Sequence, residues 1–276
     1  MEILNKQVLV DNANVRIIRL DILSPAIAAK AKAGQFVALM ADVKGERIPL
    51  TIVDSNAQKG MISIVFQEVG LTTRLLGQLK PPDKLYALSG PLGHATEVLD
   101  YGKVILVGGG LGIAEIYPVA KALKARGNNI TAVLGARSKG QLILENELKG
   151  VCDQIYFLTD DGSYGEKGFT TDKLLGLLKE GSYDLVYTVG PIAMMRKVSE
   201  ITGNFAVRTI ASLNALMVDA TGMCGCCRVT VAGEVKFSCV DGPEFDAQKV
   251  DWDQLKTRNR MYQDSEEHIC KLEKQA

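Results

Sequence analysis

The chain has 276 residues, 47% of them apolar, which is enough for two domains with ordinary cores. Thirty-two basic residues cancel thirty-two acidic ones, so no net field recruits nucleic acid or a membrane surface. No run of about eighteen apolar residues exists to span a bilayer, and the opening MEILNKQVLVDNANVRI lacks the basic-then-apolar layout of a signal peptide, so a cytoplasmic location is expected.

Residues 1–99 are rich in β-signals. Apolar or alternating runs at 8–10, 15–20, 36–40, 50–53 and 62–66 are separated by Gly, Pro, Asn and Asp, a spacing that suggests a barrel. One helix interrupts them, LTTRLLGQL, with Thr72 and Thr73 near its start. Residues 100–212 change period. VILVGG reads as a buried strand and IAEIYPVAKALKARG as a helix. NITAVLGAR, QIYFLTDD, DLVYTVG and FAVRTIAS then alternate with the helix-like LILENELKG, TDKLLGLLKEG and PIAMMRKVSEI. Alternation of this kind predicts a parallel sheet with helices on both faces. Residues 213–245 hold four of the six cysteines, and 246–276 form a charged, weakly periodic tail with the only tryptophan, Trp252, expected to pack on the body.

In a reducing compartment clustered cysteines read as metal ligands rather than disulfides, while Cys152 and Cys270 stand apart as structural or incidental thiols. Plant-type [2Fe–2S] sites use C-x4-C-x2-C with a fourth cysteine further on. Cys224-Gly-Cys-Cys227 supplies the C-x2-C, and Cys239 the distant ligand. Five residues before Cys224, where the first cysteine belongs, stands Asp219, whose carboxylate can ligate iron through oxygen. Gly222 and Gly225 suit a loop that must turn tightly and aim amides at sulfur, and Cys226 falls out of register. Zinc would want four Cys or His ligands, often as two C-x2-C knuckles; one knuckle exists, and neither His94 nor His268 lies near it in sequence. The pattern favours iron–sulfur over zinc, and zinc over free thiols.

VGGGLGIAEIYPVAKAL places Gly108, Gly109, Gly110 and Gly112 between a strand tip and a helix, where backbone amides and the helix dipole receive a pyrophosphate. Strict G-x-G-x-x-G spacing is absent, so a glycine-dependent tight turn is the plain alternative. GARSKG ends the next strand. Its Arg137 and Lys139 suit a 2′-phosphate, or form a solvated basic turn. Asp160 and Asp161 end the third strand and suit ribose hydroxyls, or cap the turn; Val189-Gly190-Pro191 closes the fourth strand at the same edge, where a nicotinamide could lie. A hydride arrives as two electrons whereas a [2Fe–2S] centre takes one at a time, so a chain carrying both needs a converter, usually flavin. Arg47-Ile-Pro-Leu-Thr51 and Gly70-Leu-Thr-Thr73 supply plausible flavin contacts, though alone they read as an edge strand and a helix cap.

With these residues in place, the chain resembles the ferredoxin–NADP reductase superfamily. Within it, the chain is similar to the electron-transfer subunits of dihydroorotate dehydrogenase, sulfide dehydrogenase and electron-bifurcating NADH-dependent reduced ferredoxin:NADP oxidoreductase, most of all the last. The marks are RIPLTIVD, VGGGLGIAEIYPVAKAL, TDDGSYGEKG and MVDATGMCGCCRVTVAGEVKFSCVDGPEF, spanning about residues 1–245. The resemblance implies a β-barrel FAD domain, an α/β NAD(H) domain and a small [2Fe–2S] segment. It implies FAD on Arg47, Pro49, Leu50, Thr51, Val65, Gln67, Gly70, Thr72 and Thr73, and NAD(H) on the glycine loop, Asp160, Asp161 and Gly190. It further implies a cluster on Asp219, Cys224, Cys227 and Cys239, and a larger flavin or iron–sulfur partner subunit that handles NADPH and ferredoxin. Asp219 departs from the four-cysteine dihydroorotate branch. Arg47 stands one residue early for the superfamily's R-x-Y-[ST], and Val189 replaces a cysteine common beside the nicotinamide. Arg137 pulls toward NADP while the branch implies NADH, and NADH is expected.

Overall fold

Six antiparallel strands build the N-terminal unit: β1 (Ile3–Asp11), β2 (Arg16–Leu23), β3 (Phe36–Met40), β4 (Ile48–Asn56), β5 (Met61–Gln67) and β6 (Ala87–Leu92). Helices α1 (Pro25–Ala28) and α2 (Leu71–Gln78) interrupt them. The structure, a computed structural model, describes residues 1–13, 15–43, 45–263 and 265; His268 and Cys270 lie outside them. The strand order is β1-β2-β5-β4-β3-β6. Its two ends are drawn together where Ile3 N donates to Asp83 O and Leu85 N to Met1 O, both at 2.9 Å, so the sheet curls into a barrel. All five predicted runs are strands. β6 carries no such signal because ALSGPL contains a Gly-Pro pair, tolerated here on a strand that pairs only with β3.

The second unit alternates β7 (Lys103–Gly109), α3 (Ile113–Ala125), β8 (Asn129–Ala136), α4 (Glu145–Lys149), β9 (Gln154–Thr159), β10 (Glu166–Lys167), α5 (Thr170–Glu180), β11 (Leu185–Val189), α6 (Ile192–Asn204) and β12 (Thr209–Ser212). Its sheet runs β10-β9-β8-β7-β11-β12-β15, parallel except for the last strand, β15 (Glu244–Asp246). Period-two alternation in β7 explains the helices on both faces. Val104 and Leu106 pack with Ile116, Val119 and Leu123 of α3, whereas Ile105 and Val107 pack with Leu174 of α5 and Val198 of α6.

The two units share a core. Val10, Ile17, Val53 and Val65 of the barrel are buried with Ile113 and Ala114 of α3. Each buried valine or isoleucine among them contributes about 1.5–3 kcal/mol. The half-exposed Lys121–Asp54 ion pair across the same seam, at 3.1 Å, contributes about 1 kcal/mol at most. Apolar packing therefore sets the angle between the units.

After β12 the chain forms the cysteine loop, then a hairpin of β13 (Arg228–Val231) and β14 (Glu234–Phe237). It returns to add β15 antiparallel to β12, with Ala211 opposite Phe245. Helix α7 (Trp252–Arg258) closes the described chain; Trp252 is buried and its indole N–H donates to Ala247 O at 3.1 Å. β15 spans the expected boundary at 245/246, so the segment after the cysteines is stitched into the parallel sheet.

Candidate functional site

A cleft of about 920 Å³ lies between the barrel and the sheet. Pro49, Leu50 and Thr51 of β4 and Val65 and Gln67 of β5 form one wall. The other is built from chain at the C-terminal ends of parallel strands: Gly109 at the end of β7 with Gly110 and Gly112 after it, Arg137 after β8, Asp160 after β9 and Gly190 after β11. Parallel α/β sheets present ligands at this edge because helix N-termini and free backbone amides converge there. Gly112 has a steric reason to be glycine: a Cβ there would stand 2.5 Å from Val189 O. The loop thus packs directly on the end of β11, which uses glycine for close approach as well as for an open amide surface.

Six of the expected residues do not line the cleft. Gly108 is buried within β7. Thr73 Oγ1 accepts from Val69 N and Gly70 N at 2.9 and 3.0 Å, and Thr72 Oγ1 donates to Glu46 Oε2 at 3.2 Å, so these threonines hold the start of α2. Asp161 accepts from Ser163 N at 2.9 Å and from its hydroxyl, which lowers its carboxyl below the usual range; it caps the turn while Asp160 faces the cleft. Arg47 turns elsewhere. Its Nη1 lies 3.3 Å from Asp219 Oδ1, joining the barrel to the cysteine loop.

Sequence reading passed over Glu115 in the first turn of α3, which lines the cleft with Ser212 and Met194. Its one signal was a lone charge in the otherwise apolar IAEIYPV. Burial pushes the Glu115 carboxyl up, against hydrogen bonds from Ser212, Tyr187 and Thr51. Glu244 lies behind it, pushed up to about 7 by burial, against a 2.5 Å hydrogen bond from Thr96 Oγ1.

The cysteine loop brings two of its expected donors together. Cys227 and Cys239 are buried with sulfurs 3.2 Å apart. Two sulfurs on one tetrahedral ion, with bonds of about 2.3 Å, stand roughly 3.8 Å apart, so this pair is near the spacing a shared ion requires. Amides are aimed at the sulfurs: those of Cys226 and Asp219 lower the Cys224 thiol, Gly222 N faces Cys239, and Cys239 N donates to Cys227 Sγ at 3.4 Å. Gly222 and Gly225 take φ of +86° and +67°, the left-handed turns expected of this loop. Burial pushes the Cys239 thiol up to about 12, a cost that a bound cation relieves by deprotonating the thiol outright. Among the described residues no three His, Cys, Asp or Glu side chains converge as on a single ion. A sulfur-and-carboxylate set with inward amides fits an iron–sulfur centre better than a single ion. Cys226 is half-buried, and its carbonyl accepts from Arg258 Nη2 at 2.9 Å. Cys152, remote from the loop in sequence, has its thiol pushed up to about 12 by burial, as a packing thiol would.

A barrel set against a parallel sheet, with a shared cleft at the strand ends, defines a ferredoxin–NADP reductase-like oxidoreductase. Domain families match in the same order: an oxidoreductase FAD-binding domain over residues 3–96, an oxidoreductase NAD-binding domain over 106–200, and the iron–sulfur cluster binding domain of dihydroorotate dehydrogenase B over 214–251. The chain belongs to the dihydroorotate dehydrogenase B electron-transfer subunit family. It is 49% identical to the dihydroorotate dehydrogenase B (NAD(+)) electron transfer subunit homolog of Thermotoga maritima, over 88% of this chain and 86% of that one. Against the electron transfer subunit of Geobacillus thermodenitrificans identity is 35%, over 81% and 88%. A solved structure of an NADH-dependent reduced ferredoxin–NADP oxidoreductase, described for flavin-based electron bifurcation, superposes with a TM-score of 0.91. It shares 44% identity over 98% of this chain and 96% of that one. Ferredoxin–NADP+ reductase from Plasmodium falciparum, 18% identical with a TM-score of 0.58 over 73% and 88%, shares the fold. The protein is thus an electron-transfer oxidoreductase subunit with FAD-, NAD- and iron–sulfur-binding domains. No helix among the described residues is long and apolar enough to cross a membrane.

Proposed function

We propose that this cytoplasmic subunit exchanges hydride between NAD(H) and FAD, and single electrons between FAD and a [2Fe–2S] cluster, on behalf of a larger partner subunit in electron-bifurcating NADH:ferredoxin:NADP oxidoreduction. The observation that carries this reading is the near-complete superposition on the bifurcating oxidoreductase structure, with a TM-score of 0.91 over 98% of the chain. Flavin supplies the conversion of a two-electron hydride into the single electrons that an iron–sulfur centre accepts. In this reading Pro49, Leu50, Thr51, Val65 and Gln67 hold the flavin against the barrel wall. Gly109, Gly110 and Gly112 receive the nucleotide's pyrophosphate, Asp160 and Arg137 flank its ribose, and Gly190 leaves room for the nicotinamide. Asp219 and Cys224 take one iron, and Cys227 and Cys239 the other.

The partner docks over the cysteine loop. Met223 is 90% exposed and Val218 50%, and both flank proposed ligands. Apolar side chains held out beside a redox centre suit a subunit carrying the next flavin or iron–sulfur centre, through which ferredoxin and NADPH are reached.

The protein isolated anaerobically with its native partner is expected to contain about two irons and two acid-labile sulfides per chain, as the [2Fe–2S] stoichiometry requires, with flavin bands in its visible spectrum. Zinc in place of iron would overturn the cluster. Reduction of ferredoxin and NAD by NADPH, coupled in one complex, supports bifurcation. Activity with dihydroorotate and NAD alone would instead support the second reading, an electron-transfer subunit of dihydroorotate dehydrogenase, which the 49% identity to the Thermotoga maritima homolog favours.

A further inference from the structure

An aromatic ring stands open at one end of the cleft. Phe169 lines the cleft yet is 62% exposed, and among the described residues it is the one exposed phenylalanine. Its backbone is firmly mounted. Before it, β10 pairs with β9, and Gly168 N donates to Thr159 O at 3.2 Å. Gly168, at φ +140°, makes the turn from β10 into α5. After it, the Phe169 carbonyl accepts from Asp172 N at 3.0 Å as α5 begins, and Thr170 is buried. The turn also packs on β8, where a Cβ at Gly135 would stand 2.6 Å from Thr170 Cγ2. Tyr164, the other aromatic residue of this turn, is already engaged: Lys139 Nζ lies 5.1 Å from its ring centre and the Phe157 ring 5.6 Å. A large apolar ring fixed in a cleft and left to water gains most from covering by another flat ring.

Topology says which ring that is. In the sheet order β10-β9-β8-β7-β11-β12, the cleft residues fall in series outward from β7. The glycine loop follows β7, Arg137 follows β8, Asp160 follows β9 and Phe169 follows β10, whereas Gly190 lies on the opposite side after β11. A dinucleotide crosses such a crevice with its pyrophosphate on the central turn and its two bases to either side. With the nicotinamide beside Gly190, the base on the side of β8, β9 and β10 is the adenine. We propose that Phe169 is the platform on which the adenine of NAD(H) stacks, with Asp160 and Arg137 at the ribose between it and the pyrophosphate. The platform rests on that seating of the nucleotide. Stacking uses the π-face of the base and does not sense the ribose 2′ position, so Phe169 supplies affinity for the adenine end and leaves the choice between NADH and NADPH to Asp160 and Arg137.

Titration of the purified holoprotein with NADH and with ADP-ribose, which carries the adenine end alone, tests the platform. Phe169→Ala should raise the Kd for both about tenfold, with flavin content unchanged. Phe169→Tyr, which keeps the ring, should bind as the wild type does, and Phe169→Leu, which keeps apolar bulk without a ring, should resemble Phe169→Ala. Unchanged ADP-ribose affinity in Phe169→Ala, or wild-type affinity in Phe169→Leu, would overturn the platform and leave the nucleotide seating intact. Flavin lost from Phe169→Ala would put the flavin's own adenine on this ring and overturn it as well. A wild type that binds neither probe would overturn the seating of the nucleotide, and the platform with it.

Discussion

Asp219 and Arg47 meet across 172 positions of sequence, through an ion pair whose side chains are 29% and 33% exposed. A pair so open to solvent is worth about 1 kcal/mol or less, so its use is to orient the carboxylate. Asp219→Cys should therefore retain iron and shift the cluster's electron paramagnetic resonance signal, because a thiolate replaces an oxygen donor. Asp219→Ala should lose iron, and unchanged iron content there would remove Asp219 from the ligand set. Gly112 offers a second residue-scale test. A methyl group 2.5 Å from Val189 O must displace the loop by a large fraction of an ångström. Gly112→Ala is expected to lower kcat/KM for NADH about tenfold or more, with flavin content unchanged. Asp219, the three proposed cysteine ligands and the glycines were legible in sequence because their spacing is local. The Arg47 contact was not, since R-I-P-L-T read as a flavin strand and nothing nearby in sequence pointed to the cysteine loop.

At the scale of elements, β15 and α7 hold the iron–sulfur segment to the body. Trp252 is buried beside Leu213, Cys227 and Val229 in one cluster, and its indole is hydrogen-bonded to Ala247 O. Trp252→Ala should cost about 3–5 kcal/mol. The loss should appear as a lower unfolding midpoint accompanied by release of iron, with flavin binding less affected. Five barrel strands and the βα alternation were readable from period two and period 3.6. β6 and β15 were not. Both are short strands at a sheet edge, one carrying Gly-Pro and the other three residues long, and both form because a neighbouring strand offers unpaired amides.

Across the whole molecule, pH acts through the half-buried Glu244, whose folded pKa of about 7 stands above the 4.5 of a free glutamate. A raised acid pKa contributes stability that is complete below about pH 4.5 and is lost as pH rises through about 7. The amount is roughly 3 kcal/mol. Other carboxylates work in the opposite sense. Asp21, despite the cost of burial, is held below its usual range by Ser63, Asn5 and Arg19, and its stabilisation is lost as pH falls below that range. The unfolding free energy of Glu244→Gln, subtracted from that of the wild type between about pH 5 and 8, should isolate the Glu244 contribution as a falling curve. A flat difference would show that Glu244 is ionised in the fold. The proposed partner interface is also a whole-molecule property. Met223→Asp should leave flavin and iron in place while weakening association with the partner about tenfold or more, as read by co-purification and titration.

The order of domains, the strand-and-helix alternation, the glycine turn and the thiol spacing are determined by sequence alone. Each depends on residues within a few positions of one another, and local geometry restricts what such patterns can become. Which residues meet was decided by tertiary structure. Glu115, Tyr187 and Glu244 come from three elements, and they meet only because α3, β11 and β15 pack against one another. Burial of charge is a property of the assembled core, and no window of sequence carries it.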